Sequence, residues 1–298
     1  MLKTDFYTEI GKNKLRSTLL VFFFSVFILF FAYIVAIAFF PGYAISLLIF
    51  AFIIAIIFSL IGYYTGDKLV LSISHAKEVT KKEDPFLINT VEGLALAAGL
   101  PVPKVYLIQE DSINAFATGR NPEHASIAVT SGARKKLNRQ ELEGVLAHEM
   151  SHIGNYDIRF MVLVTVLVGV VALFSDFMLR SFLFGDKREG KGSIFFILLA
   201  LALAILAPLI AQLIKLALSR KREYLADATA VQLTRYPAGL ANALKKIHKD
   251  TDKVVDTANK ATAHLYIENP LRNTTGWFDG LFSTHPPIEK RIALLEKM

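Results

Sequence analysis

The strongest constraint on this chain is a pair of long uncharged apolar runs near its start. Leu19 to Phe40 and Ala44 to Tyr64 contain no charged residue and are separated only by Pro41, Gly42 and Tyr43. Each is long enough to cross the roughly 30 Å hydrocarbon layer of a bilayer as a helix. Within lipid only helices and closed barrels satisfy their own backbone groups, so the two runs predict a transmembrane hairpin. A cleavable signal is excluded, because its shorter apolar core would lead to a small-residue cleavage site. Two later runs predict a second hairpin: Phe160 to Ser175, resuming to Phe184 after Asp176 and Arg180, and Ser193 to Ile214. The alternative for this second pair is partial burial against a polar domain. A hydrophobic content of 53% and a mean hydropathy of +0.44 are too apolar for an ordinary soluble globule.

Charge gives the orientation. Lys3, Lys12, Lys14 and Arg16 precede the first run, and Lys68, Lys77, Lys81 and Lys82 follow the second, while the turn between is uncharged. Lys187, Arg188 and Lys191 lie between the later runs, against Lys215, Arg220, Lys221 and Arg222 beyond them. The positive-inside rule then puts both termini and the polar segments in the cytoplasm, with the chain in the plasma membrane. The net charge of +7 is juxtamembrane and forms no basic stripe with stacking aromatics, so the expected partner is an anionic lipid bilayer, with no nucleic acid. Cysteine is absent, which excludes disulfides and thiolate ligands; a metal must be held by His, Asp or Glu.

The polar segments read as follows. Asp84 and Pro85 open a helix to Ala98, with Leu87, Val91, Leu94 and Ala95 on one stripe and Gly99 and Pro101 stopping it. Short strands are expected at Lys104 to Ile108, Ile113 to Thr118 and Ala125 to Thr130. Asn138 and Glu141 form a capping-box pattern ahead of a helix that ends in Ala147-His148-Glu149-Met150-Ser151-His152. Further helices are expected at Arg220 to Leu233, Ala238 to His248, Val254 to Leu265 and Pro287 to Glu296.

The stretch from His148 to His152 reads H-E-x-x-H. One helical turn apart, the two imidazoles project from one face and can grip a single Zn²⁺, with Glu149 beside them as general base. Arg139, Glu141 and Glu143 bound an amphipathic helix, so the motif is expected in a water-accessible domain, unlike intramembrane metalloproteases, whose motif lies inside an apolar span. A hydrolytic zinc site needs a third protein ligand. The position six residues after His152 is Ile158 and cannot serve. Asp157 faces away on a continuous helix and is expected to cap or hydrogen-bond the helix end. Glu223 and Asp227 share one helical face, so Glu223 is a candidate ligand and Asp227 a candidate acceptor of a ligand histidine's Nδ1 proton. Taken alone, the run Arg220 to Asp227 reads first as a solvated charged face.

Four stretches together resemble the HtpX-type membrane metallopeptidases and, more distantly, the CAAX prenyl endopeptidases. They are Asn114 to Gly119, His148 to His152 with Asn155 and Asp157, Ser219 to Asp227, and Thr284-His285-Pro286-Pro287. The resemblance implies one zinc per chain, Glu223 as third ligand, a site facing the cytosol, and protein substrates, notably membrane proteins with unfolded cytosolic segments under quality control. It favours His285 as an oxyanion donor, with a polar residue at the start of the last helix as the alternative, and the strand bearing Asn114, Ala115, Phe116 and Ala117 as an edge to which extended substrate adds, with a plain core strand as the alternative. Arg220 is a candidate for orienting Asp227 or substrate, with a structural salt bridge as its alternative. His75, His124, His248 and His264 read as surface residues without chemistry.

The expected fold is α+β and mostly helical: two membrane hairpins of four apolar spans, with a cytosolic zincin-like catalytic domain containing a small sheet. The chain divides into residues 1–64 (hairpin), 65–157 (sheet and H-E-x-x-H helix), 158–218 (second hairpin) and 219–298 (helices with the third ligand). Two competing readings are a site-specific prenyl-protein-type processing peptidase and a non-catalytic zinc-binding membrane scaffold. Because the second hairpin joins the two ligand-bearing halves, its seating in the membrane is expected to influence metal geometry.

Overall fold

A computed structural model describes residues 6–39, 41–169, 220–250, 262–268 and 286–298. Helix α1, Phe6–Phe39, turns through a short 3-10 segment, Pro41–Tyr43, into helix α2, Ala44–Ile73. Among the described residues α2 is the one helix long and apolar enough to cross a membrane by length and composition. Ile45, Phe50, Ile53 and Ile57 on it are exposed, as lipid-facing side chains are. Of the expected second hairpin, residues 157–169 form a helix, α6, and the remainder lies outside the described residues. Gly62 and Gly66 let α2 approach α6 closely: a Cβ on Gly66 would lie 2.6 Å from Val162 Cγ1, and one on Gly62 3.0 Å from Val166 Cγ1. Leu20 of α1 packs on Phe160, Leu163, Val164 and Val168 of α6. α6 therefore packs against both α1 and α2.

The polar domain begins with a two-residue strand, β1 (Lys77–Glu78), followed by helix α3 (Pro85–Ala98). Asp84 caps α3 by accepting from Leu87 N–H at 3.0 Å, and Gly99 ends it in the left-handed region at φ 66°. Strands β2 (Lys104–Ile108), β3 (Ala115–Gly119) and β4 (Ala125–Thr130) complete a mixed sheet of order β1-β2-β4-β3, with β2 parallel and β3 antiparallel to β4. β3 is an edge strand, and its alternating side chains serve two cores. Ala115 and Ala117 belong to the main core, while Phe116 points the other way into a cluster with Val70, Leu71, Met161 and Tyr266. The strand β1 carries no periodic signal in the sequence; it pairs through Lys77 and Glu78 with Leu107 and Tyr106.

A short helix, α4 (Ser131–Lys136), precedes α5 (Arg139–Gly154), which starts with the expected capping box between Asn138 and Glu141. The expectation of an amphipathic α5 is corrected: every residue from Val145 to Gly154 is buried, on all sides of the helix. The cause is small residues that let neighbours close in. A Cβ on Gly144 would meet Leu240 N at 2.6 Å, on helix α8 (Pro237–Lys249). Helix α7 (Arg220–Thr234) and the terminal helix α9 (Ile288–Leu295) enclose it further, so α5 is a central core helix. The expected helix Val254 to Leu265 lies mostly outside the described residues; its end is a 3-10 turn, Ala263–Leu265.

Candidate metal centre and active site

α5 and α7 pack directly, and this brings the two halves of the site together. One nitrogen each of His148 and His152 and one Glu223 oxygen all lie within 4.8 Å of one another, and all three residues are buried. The two Nε2 atoms face each other at 3.2 Å, with Glu223 oxygens 3.6 Å from His148 Nε2 and 3.7 Å from His152 Nε2. The Nδ1 atoms point outward, each onto a carboxylate. His148 Nδ1 lies 2.9 Å from Asp227 Oδ1, and His152 Nδ1 lies 3.0 Å from Asp157 Oδ2. In the neutral tautomer that donates Nδ1–H to its carboxylate, each histidine would direct its Nε2 lone pair to the space beside Glu223. Two nitrogen lone pairs and a carboxylate converging in a buried site form a donor set suited to a divalent cation such as zinc.

Asp157 reaches His152 because α5 does not continue: Tyr156 adopts φ 60° and, with Asn155, breaks the helix before α6 begins at residue 157. The continuous-helix expectation that turns Asp157 away is thus corrected, and the residue binds a motif histidine rather than merely finishing the helix. Arg291 of α9 joins the cluster, although nothing in the sequence singles it out. It is 1% exposed and forks onto Asp227, donating Nε to Oδ2 at 2.9 Å and Nη2 to Oδ1 at 2.7 Å, with Nη1 3.7 Å from Glu223 Oε2. Arg220, which helical spacing offers for that contact, is exposed at the start of α7.

Burial of this cluster sets its electrostatics. Burial opposes the charged form of His148, but hydrogen bonds to Asp227 and Glu223 outweigh it and lift the imidazole to about 9. Burial likewise opposes the Asp227 carboxylate, and Arg291 with His148 reverses that, holding it down at about 2. Burial also opposes the Arg291 guanidinium, which Asp227 nonetheless stabilises further in its charged form. Glu149 is 2% exposed, and burial raises it above the usual carboxylate range, against the nearby histidines and a hydrogen bond from Ala117 N–H.

That Ala117 contact places the main chain of β3 beside Glu149. The edge is not wholly open, however: Ile267 N–H donates to Ala115 O at 3.1 Å, and Asn114 Nδ2 donates to Glu268 O at 3.0 Å. Phe116 is sealed beneath Tyr266, ring centroids 5.0 Å apart. His264, expected at the surface, is buried, its Nε2 3.2 Å from Thr165 Oγ1. His285 lies outside the described residues.

Residues 81–298 match Peptidase family M48. Over 294 residues the chain is 44% identical to the Protease HtpX homolog of Dictyoglomus thermophilum, covering 98% of this chain and 95% of that protein. The homolog from Tropheryma whipplei is 41% identical over 308 residues, 98% of each chain, and that from Listeria monocytogenes 42% over 305 residues, 98% and 99%. The crystal structure of S. mikatae Ste24p is similar over 83% of this chain and 57% of its own, at 21% identity and a TM-score of 0.48. The motif, the converging donor set and the near full-length relatives lead to one conclusion: the chain belongs to peptidase family M48 and is a membrane-associated, HtpX-type metallopeptidase.

Proposed function

We propose that this chain is a zinc endopeptidase that cuts misfolded or unstructured segments of membrane proteins at the cytosolic face of the plasma membrane. The observation that carries the reading is the buried convergence of His148, His152 and Glu223, with Glu149 adjacent on the same helix. These three residues hold the ion, and Asp227 and Asp157 fix the tautomer of the two histidines through Nδ1. Bound there, zinc supplies Lewis-acid polarisation of the scissile carbonyl and acidifies the attacking water. Glu149 accepts that water's proton and returns it to the leaving amine. Burial raises its pKa above the ordinary value, the direction that strengthens a carboxylate as a base.

Arg291 keeps Asp227 ionised and in register, so His148 presents Nε2 and not Nδ1 to the ion. Extended substrate adds to the β3 edge around Ala117, where main-chain pairing gives little sequence preference. His285 is assigned the oxyanion on the resemblance of its motif, and Arg220, exposed, a contact to substrate. Four spans, with the catalytic parts on the cytosolic side, accord with the basic residues flanking the apolar runs. The test is cleavage of casein by the purified full-length chain, with and without a chelator. Cleavage at several sites, lost on chelation and restored by zinc, is expected. Cleavage confined to one C-terminal tripeptide would move the assignment to a prenyl-protein processing peptidase, and zinc binding without cleavage to a scaffold.

A further inference from the structure

The metal site reaches a residue far outside the M48-matched region. Asn13 sits near the start of α1 and is 1% exposed, although Gly11, Lys12, Lys14 and Leu15 around it are all exposed. Its Nδ2 donates twice: to Asp157 Oδ1 at 2.7 Å and to the main-chain oxygen of Asn155 at 3.0 Å. Asp157 Oδ2 is the oxygen that faces His152 Nδ1. Asn155 is the residue that terminates α5. A single amide thus holds both the carboxylate behind a motif histidine and an orphan carbonyl at the end of the motif helix. Arg222 Nη1, one residue before Glu223, lies 3.4 Å from Asn13 Oδ1 and 3.5 Å from Asp157 Oδ1, closing the contact onto α7.

We propose that Asn13 is a positioning residue of the metal centre, acting through Asp157 on His152, and that α1 thereby sets the ligand geometry from the membrane side. A carboxylate can accept from an imidazole Nδ1–H along several lone-pair directions, and only a fixed carboxylate fixes the ring. Asp157 follows the break in the helix at Asn155 and Tyr156, so α5 does not itself orient it. The short bond from Asn13, with Arg222, immobilises its other oxygen. Asn13 in turn is fixed by the unbroken helix Phe6–Phe39, whose Leu20 is anchored on α6 about two turns further along. This role for Asn13 rests on the proposed zinc site.

The test uses the full-length chain in detergent, with zinc(II) titrated against a fluorescent chelator. Asn13→Ala is expected to weaken zinc binding by about 10- to 100-fold, as loss of an outer-shell partner does, and to lower kcat with KM nearly unchanged. Gly11→Ala, in open space two residues away, should retain wild-type affinity. In an Asp157→Ala background, Asn13→Ala should have no further effect on affinity, because its route to His152 is already cut. If Asn13→Ala does not fold, Asn13→Ser, which keeps one donor, is measured in the same way with a smaller expected loss. Wild-type affinity in a folded Asn13 variant, or additive losses with Asp157→Ala, would overturn the proposal while leaving the zinc reading intact. Undiminished zinc binding in His148→Ala would instead overturn the zinc reading, and the role of Asn13 with it.

Discussion

Glu149 and Arg291 are both buried in the same cluster, yet they do different work and fail differently. Glu149→Gln keeps the shape of the side chain and removes only its capacity to take a proton. Peptidase turnover should fall by about 10²- to 10⁴-fold with zinc stoichiometry unchanged at one per chain; turnover near wild type would exclude Glu149 as the base. Arg291→Ala leaves the Asp227 carboxylate without its forked partner in a buried site, which costs on the order of 3 kcal/mol. A large drop in thermal stability is therefore expected, and Arg291→Lys should recover only part of it, since an ammonium cannot reproduce the two parallel bonds. Sequence spacing alone places the histidines on one face, and Glu223 and Asp227 on another, because helical periodicity is a local property. It misdirects Asp157, because a single positive φ at Tyr156 breaks the periodicity on which that direction depends. Arg291 has no local signal at all: it lies 64 residues from Asp227, in a terminal helix whose apolar stripe accounts for its neighbours but not for the arginine.

At the level of elements, the caps and strands are legible for the same local reason. Asp84, Gly99 and the Asn138–Glu141 box mark ends by hydrogen bonds within one turn, and the limits of α3, β2 and β4 match those expected from sequence. The burial of α5 is not legible, because charges in its first two turns suggest a surface face. Glu141 is in fact drawn inside the capping box and paired with Lys246 at 2.6 Å. The seam between α2 and α6 is equally hidden, because glycine in an apolar run carries no hydrophobic signature. Its geometry makes a direct prediction. Gly66→Leu forces a side chain against Val162 and should destabilise the detergent-solubilised protein by about 1–3 kcal/mol, as overpacking does. A melting temperature equal to that of wild type would mean that α2 and α6 do not meet there.

Across the whole molecule, the candidate metal centre is assembled from stretches that are far apart in sequence: α5 supplies two histidines and the proposed base, α6 Asp157, α7 a carboxylate pair, α9 an arginine and α1 an amide. In such an arrangement the ion and the fold stabilise each other, and the link can be read through pH. Without metal, His148 carries its proton up to about 9 instead of the ordinary 6.5, because Asp227 and Glu223 outweigh burial. A raised folded-state pKa stabilises fully below the unfolded value and is lost as pH climbs to the folded one. The metal-free protein should therefore lose stability between pH 6.5 and 9, by on the order of 3 kcal/mol for a shift of that size. Asp227, held near 2, stays ionised throughout this window and contributes no slope of its own. Zinc must displace the same proton, so the increment in melting temperature on adding zinc should grow from pH 6.5 to 9 as the metal-free form weakens. Thermal melts of chelator-treated and zinc-loaded protein across that range measure both trends at once. A zinc increment that is flat with pH would show that the ion and the His148 proton do not compete for Nε2.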